Sequence, residues 1–70
     1  MVFKKITLIG RSNESFEDAT TDAIDRAEET LEQLKWATIT DQSVELATAS
    51  EREFQVEIEA AFELQEGVSE

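Results

Sequence analysis

The chain has no cysteine, histidine, proline or tyrosine among its 70 residues, and only two glycines. Without cysteine there are no disulfides, and without cysteine or histidine there is no thiolate or imidazole metal site. The usual nucleophiles and bases are thin as well. The serines have no base arrangement, and no spacing singles out a carboxylate pair for acid/base work. The expectation is a binding protein and not an enzyme. Gly10 and Gly67 form no phosphate-cradling loop. No apolar run approaches the length of a membrane span, and the N-terminus carries no signal-peptide pattern. A cytoplasmic protein without a membrane partner is expected.

Positive charge is equally scarce, with 6 basic residues against 17 acidic ones and a net charge of −11. Such a surface repels a nucleic-acid backbone, so no nucleic-acid partner is expected. Two readings of the acidity compete. One is halophilic adaptation, because screening shortens to a few ångströms in molar salt and self-repulsion fades. The other is a nucleic-acid mimic or cation buffer. The acids are spread over a periodic pattern and not massed in a tail, which favours the first.

What is present is a strongly patterned single domain, residues 1–70, with a polar tail at 64–70. Phe16, Ala19, Ala23, Ile24, Ala27, Leu31 and Leu34 recur at spacings of three and four, which predicts an amphipathic helix over Ser15 to Leu34. Glu17, Asp18, Asp22, Asp25, Glu28, Glu29 and Glu32 fill its other faces. Ser15 and Asp18 have capping-box spacing. Val2 to Gly10 reads as a first strand, Arg11 to Glu14 as a turn, and Trp36 to Ala49 as a second strand. From Arg52 to Leu64, Phe54, Val56, Ile58, Ala60, Phe62 and Leu64 alternate with Glu53, Gln55, Glu57, Glu59, Ala61 and Glu63. This is a strand with one buried and one polar face.

Thr48 to Glu51 is then a tight connection, and residues whose numbers sum to about 99–100 should lie opposite in an antiparallel hairpin. Within the second strand, Ala37 and Ile39 cannot share a face with Val44 and Leu46 by strict alternation. One extra residue somewhere in Thr40 to Ser43, a β-bulge, reconciles them. Trp36, Thr38, Glu45 and Gln55 then point outward, with Glu45 near Gln55. The expected architecture is α+β: a β-α-β-β chain whose three antiparallel strands wrap one helix. A chain this short buries little surface, and with disulfides and metals excluded, self-association is the remaining support. The sheet's second face and an outward Trp36 are the surfaces it would use.

The run MVFKKITLIG, the SxESF segment, the helix DAIDRAEETLEQL leading into WA, then DQSVEL, ER and FQVEIEAAFEL together resemble the dodecin family, and its haloarchaeal branch in particular. The resemblance spans residues 1–64 and rests on the register of the whole chain; Lys35 and the tail 65–70 lie outside the family pattern. It implies a hollow homododecamer that binds flavins in stacked pairs near two-fold axes, held between symmetry-related tryptophans. On that resemblance, Trp36 is the stacking residue, Gln55 bonds the pyrimidine edge of the flavin, and Asp41 and Glu45 are the acids near the ribityl chain. It implies a store and quencher of flavins, with riboflavin the expected ligand and FMN or lumichrome as alternatives.

The chemistry of these residues can be weighed on its own. A lone tryptophan ordinarily serves a core or an interface, whereas an outward indole offers a stacking platform worth about 1–3 kcal/mol per ring. Gln55 stands among carboxylates, and only its amide supplies donor and acceptor together to match an imide edge. Asp41 and Glu45 could be ordinary solvated charge. As ligand groups they would accept from ribityl hydroxyls, or hold Mg²⁺ or Na⁺ with waters, and would repel a phosphate. The rival reading is a homo-oligomeric acidic interaction module in which Trp36 fills an interface and no small ligand binds.

Overall fold

The computed structural model describes residues 1–46 and 51–64. The elements follow in the order β1 (Val2–Ser12), α1 (Phe16–Thr30), β2 (Leu34–Glu45) and β3 (Glu53–Leu64). They form a three-stranded sheet of order β1-β3-β2 in which β1 and β2 both pair antiparallel with β3. The strand with the strictest alternation is therefore the central one. The expected connection at Thr48 to Ser50 and the tail at 65–70 lie outside the described residues. No helix among the described residues is long and apolar enough to cross a membrane.

Strand β1 runs two residues further than Gly10, because Arg11 and Ser12 still pair with Gln55 and Phe54. The helix starts where the cap predicts: the Ser15 hydroxyl accepts the Asp18 N–H at 2.9 Å. The reciprocal half of the box is absent. The Asp18 carboxylate instead accepts from the Ser12 hydroxyl at 2.9 Å, and that hydroxyl accepts the Glu14 N–H at 2.9 Å. The entry to the helix is thus fastened through Ser12.

The helix ends at Thr30, four residues short of the predicted Leu34. Leu31 is already extended and Gln33 adopts a left-handed φ of 62°. That one residue turns the chain into β2, and its carbonyl accepts the Glu63 N–H at 3.0 Å. Strand β2 accordingly begins at Leu34, not Trp36, and its described part ends at Glu45, while β3 begins at Glu53 and not Arg52. No glycine marks the reversal, so composition alone placed it late.

The helix lies on β1 and β3 through small residues. Ala19, Ala23 and Ala27 are buried, and Ala19 and Ala23 meet Val56 and Ile58, with Leu8, Phe16 and Ile24 packed around them. Gly10 makes this close seat possible. A methyl group added there would collide with the carbonyl oxygen of Ala19 and come within 2.9 Å of Ala23 Cβ. Phe16 meets Phe54 edge-on, with ring centroids 5.1 Å apart.

Strand β2 gains little from this core. Ile39 opposes buried Ile58 and Val44 opposes Phe54, so both are on the helix side as predicted, yet Ile39 is 53% and Leu46 65% exposed. One helix is too narrow to cover three strands. A single subunit leaves this apolar flank of β2 open.

Candidate functional site

Two irregularities decide which side chains β2 presents. Ile39 pairs with Ile58 and Asp41 with Glu57, so Thr40 is the extra residue of a bulge inside the predicted window. Its hydroxyl is within 2.9 Å of Glu57 Oε2 and 3.2 Å of the Glu57 carbonyl, and holds the bulge to β3. A second bulge, not anticipated, makes Lys35 extra: Leu34 pairs with Phe62 and Trp36 with Ala61. Leu34 must enter the core and Trp36 must leave it, although positions two apart in a regular strand share a face.

The outward face of β3 carries Glu53, Gln55, Glu57, Glu59, Ala61 and Glu63. From β2, Trp36, Thr38, Asp41, Ser43 and Glu45 stand beside them. All four predicted site residues therefore share one face. The hairpin register is tighter than expected: near the connection, paired numbers sum to 98, with Ser43 opposite Gln55 and Glu45 opposite Glu53. Glu45 and Gln55 are diagonal neighbours, and the Gln55 amide nitrogen donates to Glu45 Oε1 at 3.3 Å.

Trp36 is 45% exposed and braced by Phe3 of β1, with ring centroids 5.1 Å apart at 58°. Ala61, its partner on β3, is fully buried despite facing outward. It is the one small residue of that row, and a larger side chain there would lift the indole off the sheet. Phe3 and Ala61 thus belong to the site and were missed. The signal for Ala61 was present as the single break in the row of acids and Gln55. The signal for Phe3 depended on the β1–β3 register, which nothing local announces.

Trp36 and Gln55 do not meet within one subunit. Ala61 lies six residues beyond Gln55 on β3, about 20 Å away at a rise of roughly 3.3 Å per residue. The outward face therefore has two ends. At the Gln55 end stand Asp41, Glu45, Glu53 and Glu57, with Arg11 Nε 2.7 Å from Glu53 Oε2. No N–H is aimed at that oxygen, so the contact is electrostatic and not a directed hydrogen bond. At the Trp36 end of this face lie Lys5 and Lys35, while Lys4, paired with Phe62, falls on the other side of the sheet. Lys5 is 3.6 Å from Glu59 and Lys35 is 3.8 Å from Glu63.

Among the described residues no group of three or more acidic side chains converges to hold a metal ion. The grooves between α1 and β1, lined by Ile9, Arg11, Asp22, Asp25 and Arg26 among others, contain none of the four predicted residues.

The fold and this face define a class first: a small binding subunit whose sheet is left uncovered on one side. The dodecin family model matches residues 2–65, and the chain belongs to the dodecin family. It is 37% identical over 65 residues to the dodecin of Thermus thermophilus, covering 93% of this chain and 94% of that protein. An arginine-to-alanine variant of that dodecin superposes with a TM-score of 0.81 at 37% identity, covering 93% of this chain and 97% of its own. The dodecin of Streptomyces davaonensis gives a TM-score of 0.81 at 26% identity, over 93% and 96% of the two chains. The calcium-chelating dodecin of Mycobacterium tuberculosis, at 24% identity, matches in fold with a TM-score of 0.81 over the whole of both chains. Dodecins are homo-oligomers, forming dodecamers, and the family is known for binding flavins.

Proposed function

We propose that this protein is a homododecameric, cytoplasmic flavin store that binds riboflavin in stacked pairs and quenches its excited state, without turnover chemistry. The observation that carries this reading is Trp36: an indole 45% exposed on the outward face, braced from the side by Phe3 and paired with a buried alanine. Such a surface suits a flat aromatic ligand, at about 1–3 kcal/mol per stacked ring. An indole in contact also serves as an electron donor that returns an excited flavin ring to its ground state. Gln55 supplies the donor–acceptor edge for the imide of the ring.

Because Trp36 and Gln55 sit at opposite ends of the face, one ring can reach both only if they come from two subunits. A second copy turned by a two-fold axis brings its Gln55 end opposite the first copy's Trp36. That operation also brings Lys5 and Lys35 of one face, each beside an acid of β3, towards the acidic Gln55 end of the other. Asp41 and Glu45 at the Gln55 end disfavour a phosphate, so riboflavin is the ligand ahead of FMN, and lumichrome meets the stacking and imide requirements but lacks a ribityl chain. Mg²⁺ or Na⁺ with waters could sit among these acids as a charge partner of the assembly.

Titration of riboflavin fluorescence tests this. Emission should vanish at stoichiometric protein, and Trp36→Ala should weaken binding by roughly tenfold or more. Undiminished emission with the wild-type protein would leave the acidic interaction module as the better account.

A further inference from the structure

The geometry points to Glu45 as a positioning residue that acts on the ligand through Gln55. This inference rests on the flavin reading and assigns Glu45 a role other than contact with a ribityl chain. A carboxamide can present either its oxygen or its nitrogen in a given direction, and the two ends match opposite halves of an imide edge. Glu45 removes that ambiguity. Its carboxylate can only accept, and it lies 3.3 Å from the Gln55 nitrogen, so the nitrogen must face β2. The oxygen is then directed towards β1, where the residue paired with Gln55 is Arg11. The Arg11 guanidinium is itself held against Glu53, Nε to Oε2 2.7 Å, so the orienting contact is the one to Glu45.

One N–H of the amide is thereby committed to Glu45. The second N–H and the oxygen remain for the ligand, in a fixed left-to-right order. The order determines which of the two ring carbonyls next to the imide N–H accepts from Gln55, and hence which way the ring lies. Glu45 contributes by holding this order before the ligand arrives. Among the described residues its neighbours on the outward face include Ser43, Glu53 and Gln55, and of these three Gln55 offers the neutral amide that needs orienting.

The test compares riboflavin with lumichrome, which keeps the ring and imide edge but has no ribityl chain. Glu45→Ala should weaken both ligands by the same roughly three- to tenfold factor, the usual effect of losing one orienting hydrogen bond. Glu45→Gln, whose side-chain carbonyl still accepts, should stay within about twofold of wild type. In a Gln55→Ala background, Glu45→Ala should add nothing further. A loss confined to riboflavin, or one that persists undiminished without Gln55, would overturn the assignment in favour of direct ribityl contact. Failure of the wild-type protein to bind either ligand is a separate result, which removes the flavin reading itself. Glu45 is exposed in the subunit, so its replacement leaves the core untouched, and circular dichroism of each variant checks the fold.

Discussion

Gly10 illustrates how one residue sets the distance between layers. The obstacle to any side chain there is the backbone carbonyl of Ala19, which cannot swing aside like a flexible side chain. Gly10→Ala should therefore destabilise the protein by about 1–3 kcal/mol, seen as a lower urea midpoint at fixed protein concentration. An unchanged midpoint would mean that the helix can ride up at little cost. In the sequence Gly10 reads only as the end of a strand. Its inward position opposite Val56 emerges from a pairing across 46 residues. Trp36, Gln55 and Glu45 were easier, because parity within one hairpin puts them on a common face. Asp41 lay inside the window left open for the bulge, and its face depended on where the extra residue fell. The separation of Trp36 from Gln55 follows from the expected register as well, since a sum of about 99–100 already puts Trp36 opposite residues 63–64; the second bulge moves it to Ala61.

At the scale of elements, β3 and the start of α1 were legible because each obeys one rule throughout: strict period two, and a serine cap before an apolar stripe. Strand β2 and the end of α1 were legible only in part. Two bulges interrupt the parity of β2, and a glutamine does the turning that a glycine would have advertised. The ladder between β2 and β3 also carries a liability. Asp41 faces Glu57 and Glu45 faces Glu53, two pairs of like charge directly opposite. Each such pair costs up to about 1 kcal/mol when unscreened. Screening shortens from about 10 Å at 0.1 M salt to about 3 Å at 1 M. Asp41→Asn, which retains the oxygen that accepts the Gln42 N–H, should raise the melting temperature at low salt and leave it nearly unchanged at molar salt. Equal effects at both concentrations would show that repulsion across this ladder does not limit stability.

For the whole molecule, the flank of β2 left bare by a narrow helix and the aromatic left on the outer face both require further copies. If the ring is shared between Trp36 of one subunit and Gln55 of another, two defective variants should repair each other. Trp36→Ala and Gln55→Ala proteins, dissociated at low salt and reassembled together at molar salt, should recover part of the riboflavin quenching that neither has alone. No recovery on mixing would mean that a single subunit supplies both groups. The alanine seat of the helix has a last consequence. Ala19 and Ala23 seat the helix close against Gly10 and the sheet, so on the flavin reading proposed above a planar guest lodges where copies meet and not between helix and sheet. Capture and oligomerisation then become reciprocal: whatever factor assembly lends to affinity, the guest returns to assembly, so dilution and flavin starvation should loosen the shell together.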